Sequence, residues 1–175
     1  MRDKVNIRKI TTLALFLAFA LVAGIAERYI PISFSVPGVR LGLANVVVLA
    51  ALYLFAFTDA LTLVLLKCVL SVFIAGSFTS FVYSLSGSLL SLLVMALLLR
   101  VVGGTASPVG ISVIGAVFHN IGQLIAAAAV MRTVTVFAYL PMLMVSGVLT
   151  GVIIGVLVKY VLRIVGRLNA GKPAD

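Results

Sequence analysis

The stretch Phe78-Thr-Ser-Phe-Val-Tyr-Ser-Leu-Ser-Gly-Ser-Leu-Leu-Ser-Leu-Leu-Val-Met-Ala-Leu-Leu-Leu99 contains no charged residue, and it ends on Arg100. Crossing the hydrocarbon core of a bilayer takes roughly 20 apolar residues in a helix. A barrel strand would alternate apolar and polar positions over about ten residues. Here the apolar residues come in continuous blocks, and in lipid a helix satisfies its own backbone hydrogen bonds. The same pattern recurs outward in both directions. Before it lie Ala60–Ala75, Leu41–Phe57 and Ile10–Ala26, separated by Gly76-Ser77, by Thr58-Asp59 and by the polar, proline-containing segment from Glu27 to Arg40. After it come Ser107/Pro108 to Met131 and Phe137 to Leu162. The spacing predicts an all-α membrane protein: a bundle of about six transmembrane helices forming one transmembrane domain over residues 1–175.

Composition agrees. Of 175 residues, 63% are hydrophobic and 10% charged, and the mean hydropathy is +1.33. Soluble domains are about 45–50% apolar and about 25% charged, so a water-soluble, disordered or disulfide-stapled chain is excluded. The single cysteine, Cys68, lies inside an apolar run. Arg8 and Lys9 before Leu13–Ala26 resemble a signal peptide, but hydrophobic segments continue along the chain, and this run reads as a retained first span.

The net charge of +9 reflects topology rather than nucleic-acid binding. With both termini in the cytoplasm, Arg2, Lys4, Arg8, Lys9, Arg100, Lys159, Arg163, Arg167 and Lys172 fall inside. Arg28, Arg40 and Arg132 fall outside, and Lys67 stays within the third span. Such an excess of inner cations fits the positive-inside rule. It places residues 1–9 and 164–175 as cytoplasmic tails of a multi-pass protein in a prokaryotic-type plasma membrane.

Enzyme motifs largely fail. Asp3, Glu27, Asp59 and Asp175 are the only acids, and no two are neighbours. One histidine and one cysteine do not make a zinc site. Gly166 to Lys172 resembles a phosphate-binding loop, but Pro173 stands where a magnesium-binding Ser or Thr belongs and no strand precedes it. No cofactor and no metal are expected.

Polar residues at membrane depth are costly and mark cavities or partners. The candidates for substrate binding are Glu27, Arg40, Asn45, Lys67, His119, Asn120 and Gln123. His119 and Gln123 are four apart and share a helix face. On the assumed topology Arg40, Asn45 and Gln123 lie in the outer half and Lys67 and His119 near mid-depth, so one outward-opening pocket could hold them. Each has a plainer reading. Arg28 is an interfacial charge, Asn45 bonds between helices, Lys67 snorkels or pairs with Asp59, and His119 with Asn120 is a satisfied packing pair. Ser80, Ser84, Ser86, Ser88 and Ser91 serve helix packing, though one face could line a cavity. Gly147, Gly151 and Gly155 form a small-residue stripe suited to close helix approach, within the chain or against a partner.

Two polar motifs carry a resemblance: Pro37-Gly-Val-Arg-Leu-Gly-Leu-Ala-Asn45 with Phe57-Thr-Asp-Ala60, and Ser107-Pro-Val-Gly with Gly115-Ala-Val-Phe-His-Asn-Ile-Gly-Gln123. Over about residues 8 to 163 the chain resembles the Gx transporter family, also labelled heptaprenyl diphosphate synthase component I. That family resembles the substrate-binding S components of energy-coupling factor (ECF) importers. The resemblance implies about six helices and a pocket near the outer face, gated by the loop from Glu27 to Arg40. It also implies a membrane coupling protein and two cytoplasmic ATPases as partners, with no catalysis in this chain. Ala14 and Ala18 match the alanine docking pattern of the first helix. The expected substrate is a small metabolite, and the cations Arg40 and Lys67 suit an anionic one. The alternative is a non-catalytic membrane accessory in heptaprenyl diphosphate synthesis. Prenyl elongation itself needs carboxylates holding magnesium.

Overall fold

The computed structural model describes residues 7–29, 42–75, 77–103 and 106–170. They form α1 (Ile7–Ala26), a 3-10 turn (Glu27–Tyr29), α2 (Asn45–Leu54), α3 (Phe57–Ala75), α4 (Phe78–Val102), α5 (Pro108–Met131), a second 3-10 turn (Thr135–Tyr139) and α6 (Leu140–Ala170). No strand occurs among the described residues. All helices but α2 are long and apolar enough to cross a bilayer, so the chain is an all-helical multi-pass membrane protein.

Helix ends follow local chemistry. Ser77 Oγ accepts from Ser80 N at 3.3 Å and caps α4, offsetting one of the unpaired donors of a helix start. Gly103, at φ +69°, closes α4 in a conformation that glycine adopts without strain. Pro108 opens α5, where its missing N–H is no loss.

The expected second span differs most. The hydropathy predicts a span over Leu41–Phe57, but α2 has ten residues, about 15 Å of helix against a hydrocarbon core of about 30 Å. Gly42, at φ +85°, bars the helix from starting earlier, and Phe55 is extended and ends it. Asn45 through Ala51 are all buried. The run is apolar because α2 is wrapped by the other helices, so hydropathy could not distinguish it from a lipid-facing span.

Contacts at the helix ends fix an alternating up-and-down order. Lys9 Nζ meets Asp59 Oδ1 at 2.8 Å, so the start of α1 and the α2–α3 turn share one end of the bundle. Tyr53 Oη donates to the Ala106 carbonyl at 3.1 Å, which adds the α4–α5 connection to that end. The carboxylate of Glu27 joins the end of α1 to the approach to α2 at the opposite end. Lys9, Arg100, Lys159 and Arg163 therefore gather toward the first end, while Arg132, which closes α5 in the left-handed region, lies at the second.

The small-residue stripe of α6 packs inside the chain. A Cβ on Gly151 would stand 2.6 Å from the Cα of Val113, and one on Gly147 would stand 2.8 Å from Asn120 Nδ2; Gly155 abuts Val109. Backbone-to-backbone approach of this kind is how membrane helices gain packing where lipid offers no hydrophobic drive.

Candidate functional site

A cleft opens between α1, α2, α3, α4 and α5 toward the second end of the bundle. Glu27, Gly42, Asn45, Lys67, Ser71, Ser84 and His119 give its polar lining, with Ala20, Leu21, Gly24, Ile25, Ala44 and Ile74 completing it. It encloses about 460 Å³ counting the open mouth, around an interior of about 30 Å³, room for about one or two water molecules.

Lys67 sits midway along α3 and is only 6% exposed. Its Nζ donates to Asn45 Oδ1 at 3.2 Å and to Ser88 Oγ at 3.0 Å. These bonds supply the polar partners that a buried ammonium requires. The alternative pairing of Lys67 with Asp59 does not occur. Asp59 lies about two turns away at the helix start and takes Lys9.

Glu27 has a different part from the one its charge implied. Its Oε1 accepts from Gly42 N at 2.7 Å and its Oε2 from Leu43 N at 3.2 Å. The buried carboxylate thus clasps the chain just before α2 and pairs two backbone donors that precede its N-cap, Ala44. Gly42 then lies against the site. A Cβ there would stand 2.9 Å from Asn45 Nδ2 and 3.2 Å from His119 Cδ2.

His119 Nε2 lies 2.7 Å from Gln123 Nε2, one helical turn along α5. With the amide N–H donating, the ring nitrogen is the acceptor, which places the imidazole proton on Nδ1. Gln123 is fully buried and stands behind His119 rather than in the lining. Gly87 makes room for both, since a Cβ on it would sit 2.7 Å from the His119 carbonyl.

Of the expected binding residues, then, Glu27, Asn45, Lys67 and His119 meet in one cleft, and Gln123 supports it. Asn120 does not belong there. It donates to the Leu143 carbonyl at 2.6 Å and ties α5 to α6, because the next residue on a helix points about 100° away. Arg40, with most of the expected gate, lies outside the described residues. Sequence reasoning gave Ser84 and Ser88 mainly a packing role, yet Ser84 lines the cleft and Ser88 binds Lys67. Their four-residue spacing placed both on one face of α4, and this was the available signal. Among the described residues no group of acids, histidine and cysteine could hold a metal ion.

Away from the cleft, Ala14 and Ala18 are both exposed on α1 and form a shallow strip on the outside of the bundle.

A family model described as heptaprenyl diphosphate synthase component I matches residues 16–161. No curated protein and no solved structure matches the chain. With that match over most of its length, the chain belongs to the heptaprenyl diphosphate synthase component I family.

Proposed function

We propose that this protein is the substrate-binding S component of an ECF-type importer in a prokaryotic-type plasma membrane, with both termini in the cytoplasm. The observation that carries this reading is the buried Lys67, held by Asn45 and Ser88 at the floor of an open cleft. A charge at this depth is costly, and a chain that needed only packing would gain nothing from it. The end bearing Lys9, Arg100, Lys159 and Arg163 faces the cytoplasm by the positive-inside rule, so the cleft opens outward. Lys67 and the Asn45 amide are the donors that the floor presents. Both oxygens of Glu27 already accept backbone N–H groups. That lining suits a small metabolite bearing a carboxylate or phosphate.

No covalent chemistry belongs to this chain in the proposal. Two cytoplasmic ATPases and a membrane coupling protein, docked on the Ala14–Ala18 strip, would drive reorientation and release. Native mass spectrometry of the detergent-purified protein tests the binding role. A small acidic molecule should be retained by the unaltered chain and lost from Lys67→Met. An empty protein from cells and medium that contain its metabolites would count against it.

The family's description favours a second reading, a non-catalytic membrane accessory of heptaprenyl diphosphate synthesis. It requires a prenyl synthase as the partner, whereas the importer requires ATPases.

A further inference from the structure

The floor of the cleft has a donor held in one orientation. Asn45 is only 6% exposed, and its Oδ1 accepts from Lys67 Nζ at 3.2 Å. An ammonium group only donates, so the amide oxygen faces Lys67 and the amide nitrogen is turned the other way. That nitrogen lies beside Gly42, where a Cβ would stand 2.9 Å from it, and both residues line the cleft. No group among the described residues accepts a hydrogen bond from Asn45 Nδ2. Buried amide donors are paired as a rule, and this one is aimed into a space that a side chain on Gly42 would fill.

The size and charge of that space select the acceptor. The enclosed part of the cleft measures about 30 Å³, room for about one or two water molecules. It takes the two oxygens of a carboxylate more readily than the four of a phosphate. Lys67 is the one cation among the described lining residues; it compensates one negative charge, and a second would be buried uncompensated. Above the floor the walls become aliphatic. α3 runs toward the open end, and Lys67, Ser71 and Ile74 follow one another along a single face of it. Leu21 and Ile25, one turn apart, line the cleft from α1.

We propose, resting on the cleft's role as the importer's substrate site, that the ligand is a small aliphatic monocarboxylate. Its carboxylate accepts from the Asn45 amide beside the positive charge of Lys67, and its hydrocarbon tail lies along Leu21, Ile25 and Ile74 toward the mouth. Lys67 is then a positioning residue as well as a counter-charge, because its hold on Oδ1 keeps the donor side of Asn45 toward the ligand.

Isothermal titration of the dialysed, nanodisc-held chain at neutral pH tests this, with empty nanodiscs as the blank. Hexanoate, hexyl phosphate and hexylamine share a tail and differ in the head, while acetate keeps the head without the tail. Hexanoate should bind about tenfold or more tightly than the phosphate or the amine. It should exceed acetate by about tenfold or more, since each buried CH2 is worth about fourfold. Asn45→Asp keeps the side-chain shape and still accepts from Lys67, but it turns an acceptor toward the ligand. Its affinity for hexanoate should fall by about tenfold or more and that for hexylamine should rise, with the melting temperature unchanged. Equal or tighter binding of hexyl phosphate would overturn the carboxylate assignment and leave the importer reading standing. Equal affinities for acetate and hexanoate would overturn the aliphatic tail, and a folded Asn45→Asp chain that binds hexanoate as before would overturn the role of the amide. Binding of none of the four probes would overturn the whole assignment, whereas the importer reading is decided separately by whether ATPases co-purify.

Discussion

At the scale of single residues, Lys67 concentrates the argument. Depth alone marked it in the sequence, and its partners Asn45 and Ser88 come from helices that sequence spacing cannot bring together. Lys67→Met removes a charge whose insertion costs roughly 3 kcal/mol, along with two hydrogen bonds. The two effects oppose each other, so the melting temperature in detergent should hold or rise. Ligand affinity should fall by roughly 1.5–3 kcal/mol, the range for hydrogen bonds to a charged group. A lower melting temperature with unchanged affinity would make Lys67 a structural pin instead. Glu27 was legible as a polar residue at the right depth but not as a clasp, since its acceptors engage backbone N–H groups that leave no trace in side-chain pattern. Glu27→Ala leaves the Gly42 and Leu43 donors unpaired and should lower stability by about 1–3 kcal/mol, read from thermal unfolding. Glu27→Gln keeps one acceptor oxygen and should lose less.

Among the helices, the five long ones are legible in the sequence and the short, buried α2 is not. α3, α4 and α5 start or stop within a few residues of the breaks at Thr58-Asp59, Gly76-Ser77, Arg100 and Ser107-Pro108, because those breaks are the capping and turn chemistry itself. By hydropathy the short α2 reads as a full span, because burial in protein and burial in lipid select the same apolar residues. The α5–α6 interface turns on Gly151, where any side chain meets the backbone of Val113. Gly151→Leu should therefore destabilise the bundle by about 1–3 kcal/mol or more. Val152→Leu, on the half-exposed neighbouring position, should leave the melting temperature unchanged. Equal behaviour of the two variants would mean that the helices do not meet on the glycine stripe.

For the molecule as a whole, the excess of cations at the end marked by Lys9–Asp59 becomes a prediction of orientation. Single cysteines replacing Arg100 and Arg132, in a Cys68→Ser background, should label from opposite sides of the membrane, Arg100→Cys from the cytoplasm. Labelling from one side would break the alternating order. In the proposed orientation the cleft opens outward, and the proposed docking surface for a membrane partner is the exposed Ala14–Ala18 strip on α1. Replacing both alanines with leucine should weaken partner association by tenfold or more, about 1.4 kcal/mol, and leave small-molecule retention intact. The most direct test is affinity purification of the tagged chain from its native membranes in mild detergent, with the co-purifying proteins identified by mass spectrometry. The account predicts a membrane coupling protein and two nucleotide-binding ATPases in stoichiometric amounts, absent from the Ala14→Leu/Ala18→Leu preparation. A prenyl diphosphate synthase in their place, with no ATPase, would contradict it.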